Sequence, residues 1–234
     1  MMLYRSIKYC VGVLVAAGLL AACTKLQDSY KDFVGNGEIY YPGKADSLKI
    51  YPGRNRILLT WLLTSDPKIT KTTLYWNNKT DSAVIPVQRT AGVDTIKKML
   101  NPMPEGTYTF EVYTYDSKGN RSVSVSKIAN VYGSNYNITL VNRTLKNFAM
   151  IRPASDTAIL DFYPGAPQHI GVDVRYKNSL GDSIFLLVPQ KPDTVRVNLL
   201  KYPKGSSFIY RTLYKPETNA IDTFYAEYES RLIP

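Results

Sequence analysis

The stretch "PEGTYTFEVYTYDSKGN" (Pro104–Asn120) decides how this chain folds. Tyr108, Phe110 and Val112 stand at every second residue, and Tyr113 and Tyr115 take the opposite phase. Alternation at period two, rich in aromatic and β-branched residues and closed by Asp, Ser, Gly and Asn, is the pattern of a half-buried strand ending in a turn. Tyr108, Phe110 and Val112 are therefore expected in a core, with Tyr113 and Tyr115 on the solvent side of the same strand. Asp116–Asn120 is the expected hairpin turn, with Lys118-Gly119 or Gly119-Asn120 at its tip. The competing reading is a platform of rings for a sugar.

The same alternation extends in both directions. "RILLTWLL" (Arg56–Leu63) puts Ile57, Leu59 and Trp61 on one face, and "TTLYWN" joins Leu74 to Trp76. Tyr-Pro-Gly occurs at Tyr41, Tyr51 and Tyr163. Pro presets the first turn position and Gly supplies positive φ at the next, so each is expected to be a turn. No window sustains a helical period. The second half then repeats the first. "LYWNNKTDSAVIPVQRTAGVDTIKKML" (Leu74–Leu100) is echoed by "VRYKNSLGDSIFLLVPQKPDTVRVNLL" (Val174–Leu200), and Pro104-Glu105-Gly106 by Pro203-Lys204-Gly205. Each copy is about the size of one sandwich domain, large enough to bury a core without disulfides. The expected fold is all-β, two tandem antiparallel β-sandwiches. Residues 1–22 read as a signal, 23–45 as a tether, 46–132 as the first sandwich and 133–234 as the second, joined near Gly133. Trp61, Leu74, Trp76, Tyr108, Phe110 and Val112 should line the first core. Leu160, Phe162, Val172, Val174, Tyr176, Phe208 and Tyr210 should line the second.

Trp61, the pair Leu74 and Trp76, then Pro-x-Gly-Thr-Tyr-x-Phe-x-Val and Asp-x-x-Gly-Asn-x-Ser together resemble a fibronectin type III domain, an immunoglobulin-like sandwich. That resemblance implies a tyrosine corner at Tyr108. The second copy departs from the pattern: Phe162 replaces the tryptophan, and Ser206-Ser207 stands where Thr107-Tyr108 is expected. From "YKDFVGNGEIYYPGKADSLKIYPG" (Tyr30–Gly53) onward, the chain also resembles an uncharacterised family of Bacteroidetes lipoproteins often encoded near outer-membrane glycan-import systems.

The N-terminus gives the expected address. Arg5 and Lys8 precede an apolar or small run from Cys10 to Leu20, the length of a signal-peptide core and too short to span a bilayer. Leu20-Ala21-Ala22-Cys23 resembles the lipobox of bacterial lipoproteins. The resemblance implies cleavage before Cys23, lipid on its thiol, and an outer-membrane anchor with the folded part in water. Lys25 and Asp28 form a weak version of a surface-export signal, so the expected face is the cell exterior. Cys10 leaves with the signal and lipid uses Cys23, so the mature chain keeps no thiol for a disulfide, metal or nucleophile.

Catalysis finds little to work with. His169 is the single histidine, so no His-rich metal site can be assembled, and neither a Gly-x-Ser-x-Gly elbow nor a Gly-rich phosphate loop occurs. No cofactor or metal is expected, and no enzyme. Loss of Arg5 and Lys8 lowers the formal charge from +10 to +8, but the cations are scattered. A nucleic-acid partner would need a basic stripe with interleaved aromatics, so none is expected.

Two features remain. Asp-Ser/Thr followed by a small or aliphatic residue recurs at Ser47, Ser82, Thr95, Thr157, Ser183 and Thr194. It matches the O-glycosylation signal of Bacteroidetes envelope proteins, and it equally describes a turn Asp followed by the start of a strand. The other feature is the nineteen tyrosines, among them Tyr40, Tyr41 and Tyr51 before the first sandwich and Tyr132 and Tyr136 at the junction. A tyrosine offers a sugar an apolar face and a hydroxyl, and domain junctions are frequent ligand sites. Tyr132 and Tyr136 are the expected ligand-binding pair. The expected function is a non-catalytic surface module that binds glycan or an outer-membrane protein in glycan uptake. The alternative is a structural spacer or adhesion lipoprotein without a small ligand.

Overall fold

A computed structural model describes residues 40–64, 66–152, 156–191 and 193–234. The signal, Cys23 and all of the tether before Tyr40 lie outside the described residues. The first half holds β1 (Asp46–Pro52), β2 (Ile57–Leu63), β3 (Ile69–Trp76), β4 (Asp81–Pro86), β5 (Asp94–Leu100), β6 (Gly106–Asp116) and β7 (Val125–Val131). They form two sheets, in the orders β1-β2-β5 and β4-β3-β6-β7. The second half holds β8 (Leu145–Met150), β9 (Ala158–Phe162), β10 (His169–Lys177), β11 (Ser183–Pro189), β12 (Val195–Leu199), β13 (Ser207–Tyr214), β14 (Phe224–Tyr225) and β15 (Glu229–Leu232). Its sheets run β12-β9-β8 and β11-β10-β13, with β14 and β15 both pairing with β13. Every pairing between these strands is antiparallel. Between the halves sits one helical turn, α1 (Ser134–Ile138). The all-β antiparallel architecture is the expected one.

Each half carries its own core because the alternation aims one face of each sheet inward. Trp61, Leu74, Phe110 and Val112 are fully buried in the first, while Trp76 and Tyr108 pack from its margin. Leu160, Phe162, Val172, Val174, Tyr176, Phe208 and Tyr210 are all buried in the second. Strand register sets the two copies in correspondence. Ile57 pairs with Leu100 and Ala158 with Leu199, so Phe162 takes the place of Trp61. Leu74 pairs with Val112 and Val174 with Tyr210, so Ser206 takes the place of Tyr108.

That register resolves the departure at the tyrosine corner. Tyr108 donates its hydroxyl hydrogen back to the carbonyl of Pro104, 3.0 Å away. In the second copy Tyr202, 1% exposed, donates forward to the carbonyl of Ser206 at 2.6 Å. The ring comes from the other end of an equivalent loop and closes the same corner.

Two local expectations are corrected. Tyr113 is on the outward face but is buried, because Tyr75 meets it edge-on at 5.7 Å and the Arg121 guanidinium lies 4.7 Å from its ring centre. Neither Gly53 nor Gly165 of the Tyr-Pro-Gly segments has positive φ. Gly53 is required for room instead: a Cβ there would come within 2.5 Å of the Asp222 carboxylate. His169 is half-buried at the start of β10. Its Nδ1 accepts from the Ala166 amide at 3.1 Å, and its ring lies edge-on to Tyr214 at 4.6 Å. Burial, followed by the charge of Arg143, holds its pKa below the ordinary imidazole value. The turn over Asp116–Asn120 forms as read, with Gly119 at φ +86° and the Asp116 carboxylate accepting from the Lys118 and Asn120 amides.

Candidate functional site

The open end of the first sandwich forms a cleft of about 440 Å³ between its two sheets. Trp76 reaches it from the end of β3, Lys98, Met99 and Leu100 from β5, and Tyr108 from β6. Trp76 and Tyr108 are half-buried, so each keeps some ring surface exposed. Lys98 is in phase with Ile96 and Leu100, on the side of β5 that faces the core. Its stem is half-buried, yet its ammonium has no hydrogen bond or ion pair among the described residues. At the lip, the Asn77 amide donates to Asp81 at 2.5 Å. The second copy closes the same place. Val197 stands where Lys98 does, and Tyr202 packs against Tyr176 at 5.6 Å between ring centres. The Tyr176 hydroxyl is itself tied to the Leu200 carbonyl at 2.9 Å. Two copies of one unit thus differ at one end, one filled by an aromatic ring and the other open beside a lysine.

Tyr132 and Tyr136, the expected ligand pair, are brought together, but as packing. Their ring centres are 4.8 Å apart, and Phe224 meets them edge-on at 6.2 and 5.1 Å. Phe224 is completely buried, and the Arg54 guanidinium covers its ring at 4.6 Å. The Tyr132 hydroxyl donates to Glu217 at 3.0 Å, and the buried Tyr136 hydroxyl has no partner. These rings are a wedge between the sandwiches and do not present an open platform. Around the wedge, Asp222 accepts from the Arg56 guanidinium at 2.5 and 2.9 Å and from the Arg54 amide at 2.8 Å. The Arg56 hydrogen bond, outweighing burial, holds the Asp222 carboxyl below the usual range. Ile221 donates its amide to the Pro52 carbonyl and Asn219 its side chain to the Ile50 carbonyl. Glu105 caps α1 through the amides of Asn135 and Tyr136.

The six Asp-Ser/Thr hydroxyls lie at or just before strand starts. Ser47, Ser82, Thr95, Ser183 and Thr194 are exposed and Thr157 is half-buried. The residue after each turns inward, most completely at Leu48, Ala158 and Val195. The preceding Asp has local work in several cases: Asp81 and Asp182 accept from Asn77 and Asn178, four residues earlier in each copy, and Asp94 from Thr90. Ser47 and Thr95 border one depression of about 400 Å³ on the outer face of the β1-β2-β5 sheet. No group of three or more His, Cys, Asp or Glu suited to a metal is present among the described residues.

Sequence reasoning missed the cleft and the wedge for different reasons. Lys98 carried a usable signal: a lysine in the buried phase of β5 where the other copy has Val197. Phe224 and Asp222 lie beyond the repeated segment, where no periodicity marks them.

A family described as a domain of unknown function, DUF4998, matches residues 23–224. The chain belongs to this DUF4998 family. The family match begins at Cys23, covers the first sandwich and most of the second, and ends at Phe224. No curated protein matches the chain. Among solved structures it is similar to the FN1–FN3 domains of chicken CNTN1, at 11% identity and TM-score 0.41, over 84% of this chain and 69% of that one. It is similar to a two fibronectin type-III domain segment of chicken tenascin, at 12% identity and TM-score 0.32, over 81% of this chain and 98% of that one. The chicken interferon gamma receptor alpha chain also matches, at 12% identity and TM-score 0.33, with the same coverages.

Proposed function

We propose that this chain is a non-catalytic, lipid-anchored binding module of the bacterial outer membrane, facing the cell exterior, and that the first sandwich's open end holds an acidic glycan. The observation that carries the reading is the pairing of two partly exposed rings, Trp76 and Tyr108, with the uncommitted ammonium of Lys98 in one cleft. An aromatic face receives the C–H face of a sugar ring, and the hydroxyl and amide groups at the lip orient its hydroxyls. A partly desolvated ammonium adds attraction for a uronate or sulfate, worth more there than in open water. The cleft volume falls in the range of small-ligand sites. Screening the chain from Thr24 onward against neutral and acidic glycans tests the reading. Binding to acidic glycans should fall at least about tenfold in Trp76→Ala and in Lys98→Gln, a loss of about 1.4 kcal/mol. Equal binding by both variants would sink the site.

The anchor is supported by the lipobox-like Leu20–Cys23 segment and by a family match that begins at Cys23. The exposed Asp-Ser/Thr hydroxyls fit O-glycosylation at the same address. The intact mass of protein from its native host reads both. Cys23→Ala should lose the lipid increment, and Ala at Ser47, Ser82, Thr95, Thr157, Ser183 and Thr194 should lose a sugar increment. A mass equal to the bare polypeptide in the wild type would dispose of both modifications. The wedge favours a second reading, a rigid spacer, because it fixes one sandwich against the other. Absence of binding to every glycan, with co-purification of an outer-membrane protein, would select it.

A further inference from the structure

We infer that the free edge of β11 is an interface for a second copy of this chain, which pairs with it strand to strand about a two-fold axis. β11 (Ser183–Pro189, "SIFLLVP") lies at the edge of its sheet. It pairs with β10 in unbroken register from Lys177–Ser183 to Gly171–Pro189, and among the described residues no strand lies on its other side. A free edge presents a row of unpaired amides and carbonyls, and proteins ordinarily blunt such edges with charge, bulges or brevity.

The other described edge strands are blunted. β5 carries Lys97 and Lys98, β12 Arg196, β8 Lys146, β7 Lys127, β15 Glu229 and Arg231, and β4 opens on Asp81. β1 carries Lys49 and a bulge between Asp46 and Lys49, and β14 is two residues long. β11 has seven residues, no charge and no bulge. It also exposes large apolar side chains outward: Phe185 at 63% and Leu187 at 70%. On a chain of formal charge near +8 after signal loss, an uncharged apolar edge is the place where two copies can approach with least repulsion.

The strand is complementary to itself. A two-fold axis through Leu186 sets Phe185 of one copy opposite Leu187 of the other, and Ile184 opposite Val188. Ser183 then meets Pro189, whose missing N–H falls at the end of the ladder where it does least harm. Just beyond, Asp182 of each copy comes opposite Gln190 of the other, so polar residues flank the apolar centre. Directly opposed apolar pairs stabilise antiparallel strands. A two-fold contact of this kind closes on itself and leaves no edge for a third copy. The Arg175 guanidinium, 5.1 Å from the Phe185 ring, supports the outward pair from the same sheet face.

The test is the mass in solution of the chain from Thr24 onward, which holds both cores and every described strand. Light scattering across a concentration series should give twice the chain mass at the upper end. Phe185→Lys/Leu187→Lys should remain at the single-chain mass throughout, with far-UV circular dichroism and unfolding midpoint unchanged because both side chains are exposed. Oxidising a mixture of Phe185→Cys chains and Leu187→Cys chains should give a disulfide-linked dimer faster than either variant alone. A wild type that stays at single-chain mass up to millimolar concentration overturns the proposal. So does a dimer that survives in the double-lysine variant, which would lie on another surface. Preferential capture of an unrelated extended peptide by the β11 edge, without self-association, overturns it in favour of a foreign strand.

Discussion

Trp61→Ala is expected to lower unfolding free energy by about 3–5 kcal/mol, the usual loss for a fully buried aromatic. Trp61 is 0% exposed on β2 and pairs with Ile96 on β5. Alanine removes most of the apolar surface it buries and leaves a void that rigid sheets cannot close. Trp61→Phe should cost far less, for a reason particular to this site. The buried indole Nε1–H has no hydrogen-bond partner, and an unsatisfied buried donor costs about 1–3 kcal/mol. Phenylalanine sheds that donor while keeping much of the ring. The second copy already carries this arrangement, with Phe162 fully buried at the equivalent position. Urea unfolding followed by circular dichroism separates the outcomes. A Trp61→Ala loss under about 0.5 kcal/mol would put the ring at the surface. A Trp61→Phe loss as large as that of alanine would mean that ring volume, and not the orphan N–H, governs the site.

The strands and cores were legible because they rest on period two and on repetition. Ile57, Leu59 and Trp61 alternate, Leu160 and Phe162 echo them, and burial follows the alternation. Tyr113 escaped because alternation says which face a residue is on and not what covers that face. Arg121 and Tyr75 reach Tyr113 from neighbouring segments of the sheet and its turn. Local turn rules give the Tyr-Pro-Gly glycines a turn conformation, yet Gly53 answers to a carboxylate far along the chain, which such rules cannot contain. Tyr132 and Tyr136 stand out in the sequence only as a surplus outside the repeat. Their surplus is used in packing, and the residue that organises them, Phe224, sits in a two-residue strand without periodic context. Lys98 and Trp76 were hidden differently: each reads as an ordinary strand residue until its equivalent, Val197 or Tyr176, is set beside it.

Phe224→Ala is expected to cost a similar amount, about 3–5 kcal/mol, and to change the form of unfolding as well. Phe224 belongs to the second half by its pairing with Tyr214 on β13, but its ring contacts Tyr132, Tyr136 and Arg54. Removing it opens the wedge and leaves the remaining ties, chiefly the partly exposed Arg56–Asp222 ion pair and the Ile221 and Asn219 hydrogen bonds. Exposed ion pairs contribute little, so the coupling between halves should weaken with the wedge. Both tryptophans, Trp61 and Trp76, are in the first sandwich. Fluorescence therefore reports that half, while far-UV circular dichroism reports both. In the wild type the two probes should trace one transition, the mark of a cooperative unit. In Phe224→Ala they should separate, with the circular dichroism midpoint moving further than the fluorescence midpoint, because the void lies on the second half. Coincident curves with an unchanged midpoint would mean that Phe224 contributes no coupling. The aromatic contacts at the junction would then be incidental, and Tyr132 and Tyr136 would return as residues free to serve a ligand.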